Sequence, residues 1–120
     1  MPQIANSQKY IEQNFPELLS YKKSTSRMYE KGDKPGYQDS WWFKFLEDDL
    51  DANEFMVFAG AFDYNNKEFK IFKVPSNYIK SNINKVYRNS NGWIILYVHF
   101  TELIDLRYES NLPFKGFELN

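Results

Sequence analysis

The sequence contains no cysteine and a single histidine, His99. The absence of cysteine excludes a disulfide scaffold, a thiol nucleophile and a zinc site with cysteine ligands. The longest apolar runs, Phe55–Phe62 and Trp93–Val98, are far shorter than the roughly 20 residues that a membrane-spanning helix needs. Residues 1–15 have neither the basic n-region nor the apolar h-region of a signal peptide. We therefore expect a cytoplasmic protein that does not interact with a membrane.

Motifs for metal binding and nucleophilic catalysis are also missing. The sequence has no HExxH, no Gly-rich phosphate loop and no GxSxG. His99 lies within an apolar strand pattern, where we expect a core or edge histidine with its hydrogen bonds satisfied. Residues 47–51 offer several carboxylates for Mg²⁺, but they lack the alternating oxygens and the glycine of an EF-hand loop. Acids favour the first turn of a helix, so this run predicts a solvated helix start, and we expect neither a metal ion nor a cofactor.

One local pattern is typical of a Mg²⁺-dependent nuclease, in which carboxylates bind the metal and a lysine positions the attacking water. Glu68 and Lys70 form a Glu-x-Lys pair on a predicted strand, and Asp63 precedes Glu68 by five residues. The turn between Asp63 and Glu68 is short, and the next residue on the strand face of Glu68 and Lys70 is Phe72. A nuclease is therefore a secondary hypothesis.

Aromatic residues are abundant, with 11 Phe, 9 Tyr and 3 Trp among 120 residues. A hydrophobic fraction of 42% excludes a disordered chain. The length suits one domain that buries its own core without disulfides or a metal. No linker, repeat or low-complexity tract divides the chain, so we expect a single domain spanning residues 1–120.

The pattern of apolar residues predicts several short helices. A first helix is expected over Ser7–Phe15, capped by Asn6 or Ser7 and ended by Pro16. Residues 47–54 predict a short helical turn that buries only Leu50. Ser76 is expected to cap a helix over 77–87 whose apolar stripe includes Tyr87. Thr101 is expected to cap another short helix, followed by a tail that packs through Phe114, Phe117 and Leu119.

Four segments predict strands: Trp41–Leu46, Phe55–Phe62, Glu68–Val74 and Trp93–Phe100. The second and third are expected to form a hairpin, and Gly60 indicates a close backbone approach or a bulge. The second and fourth are apolar on both faces, which is typical of strands covered on both sides. The polar segment 18–28 fits an edge strand or a loop. We therefore predict an α+β fold with a mixed, mostly antiparallel sheet, two strands buried on both faces, and flanking short helices.

The net charge is only −1, but it is unevenly distributed. Residues 17–36 carry five bases and three acids, residues 63–88 six bases and two acids, and residues 39–54 one base and six acids. A nucleic-acid-binding protein is usually basic, because phosphate neutralisation supplies most of its affinity. The total therefore weighs against nucleic-acid binding, whereas the blocks are compatible with one basic face.

The basic segment and the tryptophan pair that follows it are the most suggestive features. Lys22, Lys23 and Arg27, with the hydroxyls between them, suit phosphate oxygens. Trp41 and Trp42 are adjacent in a predicted strand, so their rings must point to opposite faces. An exposed tryptophan can stack on a nucleobase or anchor a protein interface. Alternatively, one ring is in the core and the preceding loop covers the other.

Four segments follow one another between residues 19 and 100. They are a lysine-bearing segment (YKKSTSR), a strand with an aromatic pair (DSWWFKF), an apolar strand (FMVFAGAF) and a strand ending in Val74-Pro75-Ser76. In this order they resemble the later half of restriction-endonuclease-like PD-(D/E)XK domains. The family's lysine would fall on Lys22 or Lys23, but its preceding acid would be Ser20 or Tyr21. The resemblance therefore implies a catalytically inactive or truncated relative.

A second similarity is to the DNA-reading domains of modification-dependent restriction systems, where aromatic rings hold a flipped base. The rings that this similarity implies are Tyr37, Trp41 and Trp42. The favoured hypothesis is thus a non-catalytic DNA-contacting module of prokaryotic restriction or defence type. The first alternative is a small protein-binding module, such as an inhibitor, immunity protein or subunit, that meets a basic partner through the acidic block 47–54.

Overall fold

A computed structural model of the chain describes residues 2–30, 39–63, 67–107 and 110–120. Within these ranges the chain forms three helices and seven strands, which confirms the α+β class. The helices are α1 (Pro2–Asn14), α2 (Asp49–Ala52) and α3 (Ser76–Ser81). The strands are β1 (Lys22–Ser26), β2 (Met28–Tyr29), β3 (Ser40–Leu46), β4 (Phe55–Ala61), β5 (Phe69–Pro75), β6 (Tyr87–Arg88) and β7 (Trp93–His99).

The strands are divided between two sheets. A three-stranded sheet has the order β1-β4-β5, with β1 parallel to β4 and β4 antiparallel to β5 in the expected hairpin. A four-stranded antiparallel sheet has the order β2-β3-β7-β6. The β structure is therefore mixed and mostly antiparallel, as the sequence predicts.

Two serine side chains join the sheets. The hydroxyl of Ser24 accepts a hydrogen bond from the backbone N–H of Lys44 at 2.9 Å and donates one to the carbonyl of Lys44 at 3.0 Å. The hydroxyl of Ser26 accepts one from the N–H of Trp42 at 2.8 Å. Both serines are buried. The polar segment 18–28 therefore contains an edge strand of the three-stranded sheet, as the sequence allows, and its buried hydroxyls take the place of main-chain partners along β3.

The main core fills the space between the two sheets. Trp41, Phe43 and Phe45 project into it from β3, on the face that the alternation predicts. A second, smaller core lies on the other side of β4, where Ile11 of α1 covers the three-stranded sheet. Successive residues of β4 enter the two cores in turn, which confirms that this strand is buried on both faces. On β7 one face is fully buried, whereas on the other face Tyr97 is buried and the remaining residues are half-buried, so burial of this strand on both faces is only partial.

Gly60 lies where the main chain of β4 meets the indole of Trp41. A Cβ atom at this position would lie 2.4 Å from Cδ2 of Trp41, well inside van der Waals contact. The indole Nε1 donates a hydrogen bond to the carbonyl of Ala61 at 2.8 Å. The close approach expected from Gly60 is confirmed.

The predicted first helix is present, but it begins at Pro2 rather than at Ser7. Ser7 is not its cap, because the Ser7 hydroxyl is hydrogen-bonded to that of Thr25 in β1 at 2.8 Å. The helix ends before Pro16, as predicted. The helix starts at Pro2, before the apolar spacing of Tyr10, Ile11 and Phe15 on which the prediction depends.

The helix predicted over 77–87 is too long by several residues. The α-helix ends at Ser81, a single 3₁₀ turn follows at Ile83–Lys85, and Tyr87 lies in β6, paired with Ile95 of β7. Pairing to the edge of a sheet overrides a helix-like spacing of apolar residues. Ser76 is the first helical residue rather than a cap, and its hydroxyl donates to the carbonyl of Asn53 at 2.5 Å.

The segment after β7 is not the helix that Thr101 was expected to cap. Leu103 has a positive φ of 56°, and Asp105 forms a β-bridge with Val98 instead. The tail packs through Phe114, which is fully buried, as expected. The expected packing through Leu119 is wrong, since its side chain is 42% exposed, and the tail is held to β5 there by its backbone: the Leu119 N–H donates to the carbonyl of Ile71 at 2.8 Å. None of the helices in the described ranges combines the length and the hydrophobicity that crossing a bilayer requires.

Candidate functional site

An open groove of about 550 Å³ lies between α1 and the outer face of the four-stranded sheet, the face turned away from the main core. Helix α1 contributes Ser7 and Gln8, and residues 22–25 of β1 form the adjoining wall. The sheet contributes Trp42 and Lys44 of β3 and Trp93 of β7. The serine junction positions this site, because Ser24 fixes β1 against the backbone of Lys44.

The groove is positively charged. Among the residues that the structure describes, its lining includes Lys22, Lys23 and Lys44 and no carboxylate. In a chain whose net charge is −1, this local excess of cations favours an anionic ligand. Long basic side chains around a concave surface also focus the electrostatic potential there.

The three lysines are not equivalent. The Lys23 ammonium donates to the carbonyl of Leu19 at 2.7 Å and to that of Tyr21 at 3.0 Å, so it holds the turn before β1. Partial burial lowers the pKa of Lys23 from its ordinary value. Lys22 and Lys44 have exposed side chains. These two are the cations best placed to meet a ligand.

Trp41 does not line the groove. Its side chain is fully buried in the main core, against the backbone of β4. Of the two adjacent indoles, Trp41 is therefore the core residue, and it is corrected as a candidate for binding a base.

Trp42 lines the groove, but its ring is enclosed between two tyrosines. The Tyr29 ring lies 4.0 Å from the Trp42 ring at an interplanar angle of 10°, and the Tyr97 ring lies 4.6 Å away at 23°. Tyr29 and Tyr97 belong to β2 and β7, on opposite sides of β3. They therefore cover opposite faces of Trp42, which turns an edge to the groove. Stacking a base on Trp42, as expected from the sequence, would require one tyrosine to move.

Two arginines extend this stack, and we call the row Arg27, Tyr29, Trp42, Tyr97 and Arg107 the aromatic ladder. The Arg27 guanidinium lies 3.9 Å from the centre of the Tyr29 ring. That of Arg107 lies 4.7 Å from the Tyr97 ring and donates a hydrogen bond to the Tyr97 hydroxyl. Such contacts hold each ring by electrostatic attraction as well as by packing. Arg27 is therefore part of the ladder and does not line the groove with Lys22 and Lys23.

A buried carboxylate anchors the far end of the ladder. Asp105 is fully buried and accepts hydrogen bonds from the backbone N–H groups of Tyr97 at 2.9 Å and Arg107 at 3.1 Å. The Ser110 hydroxyl donates to the other carboxylate oxygen at 2.7 Å. Burial raises the pKa of Asp105 above its ordinary value, and the hydrogen bond from Ser110 is the largest of the opposing effects. Asp105 thereby ties the loop that carries Arg107 to β7.

Trp93 is the ring that the sequence interpretation missed. It is half-buried at the start of β7, it lines the groove, and the Lys44 ammonium lies 4.5 Å from its ring centre. The signal was present in the sequence: Trp93 alternates with Ile94 and so belongs to the other face of the strand. Because the whole segment is apolar, both faces were interpreted as buried.

Two carboxylates of the acidic block 47–54 form ion pairs with basic side chains elsewhere in the chain. Asp51 forms an ion pair with Lys80 at 2.6 Å, and Glu47 forms one with Arg88 at 3.3 Å. The Asp49 carboxylate accepts the N–H of Leu46 at 3.0 Å, which closes the turn into α2. The short helix expected here, with Leu50 as its buried anchor, is confirmed.

The residues of the nuclease hypothesis have structural roles. The Asp63 carboxylate accepts hydrogen bonds from the N–H groups of Glu68 and Lys67, and the bond from Glu68 contributes most to lowering the pKa of Asp63. The Lys70 ammonium donates to the carbonyl of Asn120 at 3.0 Å. Across the described ranges, no three acidic or histidine side chains come together in a way that could hold a metal ion. The Nδ1 of His99 accepts the N–H groups of Thr101 and Glu102, both at 3.1 Å, so this nitrogen is engaged in the turn that follows β7.

Tyr37, the remaining candidate from the sequence, lies outside the described residues.

The chain has no significant match among protein-family models, curated proteins or solved structures.

Proposed function

We propose that this chain is a non-catalytic DNA-contacting module whose groove holds the phosphate backbone. The observation that carries the proposal is the lining of the groove, where the described part of the chain places three lysines and two indoles but no carboxylate. Lysine ammonium groups neutralise phosphates, and this contribution supplies most of the sequence-independent affinity for DNA. Half or more of the hydrogen bonds between proteins and DNA go to phosphate and sugar oxygens, which is the chemistry that the groove offers.

The roles of the residues follow from their exposure. Lys22 and Lys44 would pair with phosphates, since both ammonium groups can reach solvent. Lys23 would add charge but would keep its contacts with the carbonyls of Leu19 and Tyr21. The exposed side chain of Gln8 would donate to phosphate or sugar oxygens, whereas the Ser7 and Thr25 hydroxyls in the same wall are hydrogen-bonded to each other.

The resemblance of residues 19–100 to restriction-endonuclease-like domains is the reason for proposing DNA and a role in prokaryotic restriction or defence. The lysine of that resemblance, Lys22 or Lys23, falls on the groove wall. The acidic block supports the alternative of a protein-binding module less well, because Asp51 and Glu47 are already paired with Lys80 and Arg88.

Fluorescence anisotropy of a labelled DNA fragment, titrated with the protein from about 50 mM salt upward, tests the proposal. We expect binding that weakens linearly in log affinity against log salt concentration. Two contacted phosphates would give a slope of roughly −2. Absence of binding at about 50 mM salt, or binding that does not depend on salt, would overturn the proposal. Recovery of a stable protein complex under the same conditions would then favour the protein-binding alternative.

A further inference from the structure

We infer that the groove accepts an unpaired nucleotide, whose base stacks on Trp93 while Lys22 and Lys44 hold the neighbouring phosphates. This inference rests on the proposed function and deepens it, because it names single-stranded or unstacked DNA as the ligand and Trp93 as the stacking ring.

The aromatic ladder is the first step of the argument. Because Tyr29 and Tyr97 cover opposite faces of Trp42, an incoming base meets only the edge of that indole. Trp41 is buried in the main core. Among the described residues, no ring stacks on each face of Trp93, which is thus the tryptophan of the groove that a base can reach.

The position of Lys44 is the second step. Its ammonium lies 4.5 Å from the centre of the Trp93 ring, and its side chain is exposed. The Trp93 ring is half-buried, and a cation above a ring that water can reach is held only weakly, so a base can take its place on the indole. The displaced ammonium needs to move only a short distance to meet the phosphate attached to that base. One small rearrangement therefore supplies both contacts.

The size of the groove and the geometry of DNA are the third step. A volume of about 550 Å³ falls in the range typical of pockets for one small ligand. In a duplex the flat faces of the bases are stacked on one another and only their edges reach the surface. A ring that lines a groove can meet a base face only when that base is unpaired or flipped out. The structure therefore favours single-stranded DNA over an intact duplex.

The experiment compares three labelled probes of about 10 nucleotides, a length within the usual site size of such proteins. The probes are single-stranded oligothymidine, the corresponding thymine–adenine duplex, and a single strand of abasic residues with the same phosphates. We expect the wild-type protein to bind oligothymidine roughly tenfold more tightly than either of the others, which is the effect of one base–aromatic stack. The abasic comparison needs no variant and so does not depend on a substituted protein folding.

Substitution of the ring provides the second measurement. Trp93→Leu should weaken oligothymidine binding roughly tenfold and leave binding of the abasic strand unchanged, and Trp93→Phe should restore part of the loss. Thermal unfolding of each variant, together with its binding of the abasic strand, checks that the fold is intact. Equal affinity of the wild-type protein for all three probes would overturn this inference while leaving the proposed function standing. No binding of any probe would remove both.

Discussion

The indole of Trp41 and the backbone of Gly60 are in such close contact that no side chain fits between them. A Cβ atom at Gly60 would lie 2.4 Å from Cδ2 of the indole and 2.5 Å from Cε2. The Trp41 Nε1 hydrogen bond to the carbonyl of Ala61 fixes the ring in this position. One glycine therefore allows β4 to pack directly on a tryptophan ring of β3.

Gly60→Ala should destabilise the protein by about 2–3 kcal/mol, because the added methyl group overpacks the core against a ring that cannot move away. Urea unfolding, followed by tryptophan fluorescence, measures the free energy of unfolding. Adding Trp41→Leu removes the clashing ring, so the double variant should lose less stability than the sum of the single changes, by about 1 kcal/mol or more. Additive losses would contradict the contact.

Ser24→Ala should cost about 1–3 kcal/mol of unfolding free energy, because it leaves both the N–H and the carbonyl of Lys44 without the hydroxyl that satisfies them. The same unfolding measurement applies. Ser90→Ala is the matched control, since Ser90 is exposed and its replacement should change stability by less than about 0.5 kcal/mol. Equal effects of the two changes would show that the serine junction does not hold the sheets together.

This junction shows where prediction from the sequence reaches its limit. The hydrophobic alternation of β3 and the continuous apolar run of β4 correctly predict strands. A strand buried on one face alternates apolar and polar residues, and a strand buried on both faces is apolar throughout. Residues 22–26 bury hydroxyls that are satisfied by another strand's backbone. Their composition is the same as that of a solvated strand. The difference lies in long-range partners that a local pattern does not contain.

The candidate site was predictable only in part for a related reason. The lysines at 22 and 23 and the opposed rings of Trp41 and Trp42 follow from local sequence. The enclosure of Trp42 depends on Tyr29 and Tyr97, which are distant along the chain and meet it only through the strand order of the sheet. Alternation along β3 places Lys44 on the outer face, and the pairing of β3 with β7 brings its ammonium to the ring of Trp93.

Tyr29 and Trp42 should be energetically coupled. Stacked aromatic pairs contribute about 0.5–1.5 kcal/mol beyond the area that they bury, so a double-mutant cycle of Tyr29→Leu and Trp42→Leu should give a coupling energy in that range. The measurement is the urea unfolding of all four proteins. Tyr78→Leu combined with Trp42→Leu is the control cycle, because Tyr78 packs on Phe114 and Phe117. A coupling energy near zero for Tyr29 and Trp42 would contradict the ladder.

Asp105 should make stability fall as the pH rises above its ordinary pKa of 3.8. Because burial raises its pKa in the folded protein, the folded state binds more protons than the unfolded state between 3.8 and the folded-state value. The contribution of Asp105 to the free energy of unfolding therefore decreases as the pH rises through that window. This contribution to stability is fully present below pH 3.8, the ordinary pKa of the group.

Asp105→Asn isolates this contribution, since the amide is neutral at every pH and its oxygen can still accept the N–H groups of Tyr97 and Arg107. The difference in unfolding free energy, Asn variant minus wild type, should increase with pH through the window and then level off. Asp63→Asn is the contrasting control, because hydrogen bonds lower the pKa of Asp63. Its difference should change in the opposite direction. A difference for Asp105→Asn that does not vary with pH would show that this carboxyl titrates normally.

The double change Lys22→Ala and Lys44→Ala should weaken DNA binding and reduce the magnitude of the salt slope by about 2, because each lysine that contacts a phosphate contributes about 1 to that slope. Lys85→Ala with Lys115→Ala is the matched control: it removes the same charge from exposed positions that do not line the groove. Anisotropy titrations at several salt concentrations give both slopes. If the control pair weakened binding and lowered the slope as much as the groove pair, DNA would be attracted by overall charge alone. The lysines of the groove would then have no special part in binding.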